Sequence, residues 1–183
     1  MTGRDERPES RSPLITAADL AAHGVLPSPA PHTGRELDAL LGLLTPHRPG
    51  ITTVAVGHSR DDSCRRAAEA FTAAWENRGG TVLATVDWPE TAASWLRPAT
   101  RLTAGEPDAW VIAAAVPGFA QLARRLRHST DWDPARTYAF ASLQDSRLPA
   151  LAGPRAVHGL RGATGDGGTW QVRHRWIVSR PPA

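Results

Sequence analysis

Apolar positions in this chain switch between alternating and helical spacing, and the switches mark out its elements. Ile51, Val54 and Val56 form a short apolar run. Asp61, Asp62 and Ser63 supply helix-starting side chains, Gly79 and Gly80 close the helix, and residues 81–86 are rich in β-branched side chains. Together they predict a β-α-β unit. In its helix Cys64, Ala67, Ala68, Phe71, Ala74 and Trp75 form a buried stripe, while Arg65, Arg66, Glu69, Thr72, Glu76 and Asn77 fall on the other side. Arg65 and Glu69 stand one turn apart and can pair. A right-handed crossover sets the two strands parallel, so residues 57–64 lie at the carboxyl edge, where open α/β sheets bind ligands.

The same reading extends to both ends. Residues 13–16 read as a short strand, 17–22 as a brief helix or turn, and 24–33 as a proline-rich connector. Thr33 caps a helix with Leu37, Leu40, Leu41 and Leu44 on one face, followed by a loop over residues 47–50. Downstream, residues 87–90 turn, and 91–104 carry Trp95, Ala99 and Leu102 at helical spacing, with Pro98 kinking or splitting the helix. Residues 109–115 are a nearly continuous apolar run, as in a central parallel strand. A helix over 117–128 buries Phe119, Leu122, Ala123 and Leu126. Residues 137–142 read as a strand, 149–153 as a helical turn and 156–160 as a further short strand. A glycine-rich loop over 161–169 leads into Trp170, Val172, His174, Trp176 and Val178, which alternate as in one long edge strand. Trp170 and Trp176 on one face of it make a candidate partner surface.

This order predicts the α/β class: a three-layer, Rossmann-like lobe with a mainly parallel sheet and a C-terminal edge strand. Residues 1–12 and 180–183 read as tails around a single domain at 13–179.

Composition narrows the function classes. At 183 residues with 41% hydrophobic content, the chain can bury one core. The pI of 10.3 invites a nucleic-acid reading, yet the net charge is only +3 and the arginines are spread along the chain, with no stripe beyond Arg124, Arg125 and Arg127 and the pair Arg173 and Arg175, so no nucleic-acid partner is expected. Lysine is absent, which excludes Schiff-base chemistry and a standard phosphoacceptor receiver. One cysteine excludes an internal disulfide and any multi-cysteine zinc site. There is no P-loop and no dinucleotide-binding glycine motif, and neither metal nor cofactor is expected. No apolar run reaches the length of a membrane span, and no secretory signal opens the sequence; as written it reads as cytoplasmic, and as extracytoplasmic if the true start lies upstream.

The stretch VAVGHSRDDSCRRAAEAFTAAWENRGGTV, residues 54–82, resembles the start of the second lobe in the branched-chain amino-acid family of ABC-transporter solute-binding proteins, which have the type I periplasmic-binding fold. PDAWVI, from Pro107, resembles that family's next strand, and residues 120–132 its following helix and Asp-Trp loop. PLITAADL and the Pro27-Ser28 connector resemble the last first-lobe strand and the crossover. The resemblance covers residues 13–159. It implies that 13–50 are a remnant of the first lobe and crossover and 51–160 the second lobe, with the glycine-rich loop and terminal strand at 161–179 following. Ser63-Cys64 stands where the family has Tyr-Gly, and most of the first lobe, which in the family fixes the ligand's amino group and carboxylate, is missing.

Candidate site residues follow from the strand ends. Ser59, Asp61, Asp62 and Ser63 either bond a small polar ligand or cap the helix. Ala115, Val116 and Pro117 form the second strand-end loop, with Ser142 and Asp145 in the third, and the resemblance implies that both loops face the ligand cleft. Cys64 reads as a buried structural thiol. His58 reads as a loop residue, with an alternative catalytic role because VGHSRD resembles the Gly-His-Gly-Ser-Arg segment of small cobalt and iron chelatases. The expected function is a non-catalytic, amino-acid-like binding or sensing module. The alternatives are a chelatase-like enzyme and a remnant that acts as a protein-interaction domain. An open terminal strand and an unmatched lobe also predict a homodimer or a partner supplying the first lobe.

Overall fold

A computed structural model describes residues 14–45 and 50–182. The predicted loop at 47–50 and the tail at 1–12 fall almost wholly outside these residues.

The β-α-β unit forms as its spacing requires. Strand β1 (Thr53–Ser59) leads to helix α3 (Asp62–Asn77), and β2 (Thr81–Trp88) returns parallel to β1. Asp61 caps α3, its Oδ1 accepting the Cys64 N–H at 2.9 Å. Gly79, at φ +83°, ends the helix in a conformation that glycine adopts without strain. Upstream lie α1 (Ala17–Ala21) and α2 (Gly34–Leu44), each opened by a capping box, Thr16 with Asp19 and Thr33 with Glu36. Next come α4 (Leu96–Thr103), β3 (Ala109–Ala113), α5 (Val116–Ser129), β4 (Thr137–Ala139) and α6 (Arg147–Ala152). The chain closes with β5 (Arg161–Ala163), β6 (Thr169–Arg173) and β7 (Trp176–Arg180).

The strands form one sheet in the order β2-β1-β3-β4-β5-β6-β7, parallel from β2 to β5 and antiparallel at β6 and β7. Each face has its own apolar layer. On one, Leu40, Leu41 and Leu44 of α2 and Phe71 and Trp75 of α3 cover Val54, Val56 and Val111. On the other, Leu102, Phe119, Leu122, Leu126 and Leu151 from α4, α5 and α6 cover Ala55, Trp110 and Ile112. Strand β3 alternates between the layers and is buried along its whole length. This is the expected three-layer α/β fold.

Several expected elements differ. Residues 14–16 form no strand, because the Gln121 side-chain amide satisfies both the N–H and the C=O of Ile15, at 2.9 and 3.0 Å. Asp87 and Trp88 continue β2 instead of turning. Pro98 does not kink α4, since the helix begins only at Leu96 and places the proline in the first turn, where a backbone N–H would have no intrahelical partner and its absence costs nothing. The strand expected at 137–142 stops at Ala139, and Ser142 sits in a 3-10 turn, Ala141–Leu143. Residues 156–160 turn, and the strand comes later, at Arg161–Ala163 inside the glycine-rich segment. There Gly162 is required: a Cβ would lie 2.0 Å from the Ala139 carbonyl oxygen and 2.6 Å from the Trp170 ring.

The long terminal strand is a hairpin that turns at His174 and Arg175, so Trp170 and Trp176 do not share a face of one strand. Trp170 is core and Trp176 is 74% exposed on β7. The edge position of β7 is as expected.

Candidate functional site

The strand order reverses beside β1, so β1 and β3 end at the sheet's switch point. Ser59 ends β1 fully buried, and its Oγ accepts the Ala115 N–H at 2.9 Å. That bond ties the two strand ends together. His58 is not a loop residue: it lies within β1, nearly buried, with its ring Nδ1 2.8 Å from the Ser59 carbonyl oxygen. Its β2 neighbour Asp87 pairs with Arg60.

A carboxylate that sequence reasoning passed over closes the switch point. Glu90 Oε2 accepts the Gly118 N–H in the first turn of α5 at 2.8 Å, and its carboxyl also bonds the Ser59 side chain. Much of the residue is open to solvent, but its carboxyl end is packed inward. Burial raises its pKa, and Asp61 adds to the rise, while the Ser59 and Gly118 bonds oppose it. Ala115 and Val116 are buried beneath this contact, with Pro117 beside them in the first turn of α5. Asp62 faces solvent and pairs with Arg65 at 2.7 Å.

The open space lies one strand over. A cavity of about 440 Å³ sits beyond the ends of β3 and β4, between the starts of α2 and α3, and the connector at 27–33 roofs it. Ser63, Cys64, Ser142 and Asp145 line it, so four strand-end residues from two separate loops meet there. Glu36, Phe140 and Gln144 complete the wall.

Glu36 serves two elements at once. It is 3% exposed, closes the capping box with the Thr33 N–H, and its Oε1 accepts the Ala141 N–H at 2.5 Å. Burial raises its pKa against both bonds. Thr33 is expected as the cap but Glu36 is passed over in the sequence reading, although a glutamate three residues after a capping threonine signals a capping box; nothing in the spacing points to the bond to Ala141. Asp145 is held by Arg147 at 2.6 Å, and Arg147 also donates to the Val25 carbonyl at 3.1 Å, which anchors the connector above the cavity. Cys64 is a buried free thiol; burial pushes its pKa far up, Asp61 and Glu90 add to the rise, and the Ser142 side chain opposes it. Ser142 Oγ and Asp61 Oδ2 are buried, and the group that meets both side chains is the Cys64 thiol.

Among the described residues, no group of three or more His, Cys, Asp and Glu side chains is arranged to hold a metal ion, and no helix is long and apolar enough to cross a membrane.

A family model described as periplasmic binding protein matches residues 12–172. The chain belongs to the periplasmic binding protein family. No curated protein matches it. Among solved structures, a Rhodospirillum rubrum protein assigned as a branched-chain amino acid ABC transporter is 26% identical with a TM-score of 0.59; the match covers 69% of this chain and 35% of that one. A substrate-binding periplasmic protein from Ralstonia solanacearum is 19% identical with a TM-score of 0.59, covering 76% of this chain and 39% of that one. An extracellular ligand-binding receptor from Rhodopseudomonas palustris is 18% identical with a TM-score of 0.60, covering 77% and 38%. This periplasmic binding protein therefore spans between 35% and 39% of the length of these three relatives.

Proposed function

We propose that this chain binds a small, polar, amino-acid-like ligand in the cavity between α2, α3 and the turn after β4. One observation carries the reading. At the carboxyl edge of a periplasmic-binding fold, an open cavity of about 440 Å³ has Ser142 in its wall, its buried hydroxyl met by the Cys64 thiol alone. A thiol is a weak partner, so a buried hydroxyl left with one costs free energy that a ligand's donor or acceptor recovers.

The lining holds Glu36 and Asp145 and no arginine or lysine, which suits the ammonium end of a ligand. Ser63 and Ser142 contribute hydroxyls. Ser59, Asp61, Ala115, Val116 and Pro117 act from beneath, by fixing the strand ends and the first turns of α3 and α5. Asp62 stays in its pair with Arg65 and makes no ligand contact. The connector and α2 take the place that the crossover and the end of the first lobe have in the family, and the rest of the domain that of the second lobe. A family whose members are periplasmic makes the extracytoplasmic space the compartment to test first, by cell fractionation. For the open β7 edge the partner we infer is a second copy of the chain.

The test is a thermal-shift screen of the full chain against the amino acids, followed by calorimetry on any hit. A ligand at a hundred times its Kd stabilises by about 2.7 kcal/mol, and Ser142→Ala should lower both affinity and shift. A melt indifferent to every amino acid overturns the reading and favours an interaction domain.

A further inference from the structure

A second cleft lies at the opposite edge of the sheet from the ligand cavity. It measures about 680 Å³ and is bounded by Arg127 in the last turn of α5, residues 152–156 after α6, and the β6-β7 turn. Arg127, Arg155, His174 and Arg175 line it, with no carboxylate among the lining residues. Among the described residues, Arg155 and Arg175 form no ion pair; the four ion pairs involve Arg60, Arg65 and Arg147 only. Arg127 is steadied by donating to the Trp132 carbonyl at 3.2 Å.

The turn that bounds the cleft is held in an unusual conformation. His174 opens a two-residue connection between the paired Arg173 and Trp176 at φ +56°, where glycine is the sterically favoured residue. Its backbone N–H donates to His158 Nδ1 at 3.1 Å, and the two imidazole rings lie 4.7 Å apart. His174 thus shares the cleft lining with three arginines, at a backbone cost that a glycine would avoid.

We propose that this cleft is an anion site for a small molecule carrying linked phosphates. Guanidinium groups bind phosphate oxygens in bidentate fashion, and several cations with no internal counter-charge are best matched by a ligand with several anionic oxygens. A single carboxylate engages one arginine and leaves the others unmatched. The site is separate from the amino-acid-like ligand cavity and stands whether or not that cavity binds.

The test is calorimetric titration of the full chain with inorganic pyrophosphate at low ionic strength, with orthophosphate and citrate alongside. Pyrophosphate should bind saturably at one site and more tightly than either comparison anion. The double variant Arg155→Gln, Arg175→Gln should lose roughly tenfold or more in affinity, while Arg97→Gln on the exposed side of α4 changes nothing. Unchanged melting temperatures keep the comparison clean. No saturable binding, an equal loss in Arg97→Gln, or citrate binding as tightly as pyrophosphate would each overturn the proposal. A short single-stranded oligonucleotide that outcompetes pyrophosphate would overturn the assignment to a small molecule.

Discussion

Glu90 Oε2 accepts the backbone N–H of Gly118 at 2.8 Å, so the first turn of α5 already holds a carboxylate from its own chain. Helix N-termini carry partial positive charge and free N–H groups, and at the switch point of an α/β sheet they are the usual place for an anionic ligand group. Gly118 makes room for this contact: a Cβ there would sit 2.7 Å from Glu90 Oε2. The cavity lies one strand over, toward β4, and its lining holds the carboxyl groups of Glu36 and Asp145.

Replacing Glu90 tests that arrangement. Glu90→Ala removes a charge-assisted bond at a helix terminus and should cost about 1–2 kcal/mol in denaturant unfolding at neutral pH. The vacated Gly118 N–H should then bind an external anion, so sulfate should stabilise Glu90→Ala more than the parent chain. Equal sulfate responses would show that the α5 terminus stays closed.

The acid limb of stability should belong to Asp108. One of its carboxylate oxygens accepts four bonds, from the backbone N–H and hydroxyl groups of Thr52 and Thr53, at 2.8 to 3.0 Å. The Thr52 and Thr53 amides lower its pKa to about 2. A depressed carboxyl stabilises the fold above its unfolded pKa, near 4. That contribution is lost as pH falls through about 2. Asp108→Asn should therefore be less stable than the parent at pH 6, with the gap closing on acidification in pH-dependent urea melts.

Glu36 should behave in the opposite sense. Its pKa is raised by burial, so the folded state holds the proton more tightly than the unfolded one, and stability falls as pH rises from the ordinary glutamate value. Glu36→Gln loses an acceptor for the N–H groups of Thr33 and Ala141 and should be less stable than the parent at pH 4. The difference should narrow as pH increases, because only the parent carries an ionising group there. A gap that widens with pH would mean that the ionised carboxylate is the stabilising form.

The legible parts of the chain are those set by local chemistry. The stripe from Cys64 to Trp75, the caps at Thr33 and Asp61 and the run at 109–113 each follow from spacing within one element, and they fix the order of layers. The strand ends bring Ser63, Ser142 and Asp145 to one cavity because parallel strands share a carboxyl edge. What could not be read depends on distant neighbours. Glu90 meets Gly118 across 28 residues, and Glu36 meets Ala141 across 105. The alternation from Trp170 to Val178 runs unbroken through a turn because paired strands share the same period of two. Glycine spacing called 161–169 a loop, whereas Gly162 is a strand residue, kept small by the approach of two neighbours.

Gly162 gives a direct test of that explanation. The position needs no positive φ, so an alanine is excluded by space alone, between the Ala139 carbonyl oxygen and the Trp170 ring. Backbone cannot yield as a flexible side chain can, so Gly162→Ala should cost at least about 3 kcal/mol and leave little soluble protein. Gly165→Ala, three residues on and with nothing within 4 Å of its Cβ, should fold normally. Thermal melts of the pair separate a packing requirement from a general need for glycine in this segment.

The open edge of the sheet supplies the last prediction. Strand β7 ends the strand order, with Trp176 and Val178 at 74% and 45% exposure. Antiparallel pairing of two copies about Val178 sets Trp176 of one copy opposite Arg180 of the other, twice, by symmetry. Each such pair joins a guanidinium to an indole face and adds about 0.5–1 kcal/mol to the backbone bonds of the ladder. Sedimentation velocity should therefore show a dimer that grows with protein concentration. Trp176→Lys should shift it to monomer, because it removes the ring and sets two cations opposite each other. The exposed position of Trp176 means that the folded monomer should keep its melting temperature within a degree or two, measured where the parent is also monomeric. A parent chain that stays monomeric at every concentration, or a dimer indifferent to Trp176→Lys, would assign the open edge to something other than a second copy.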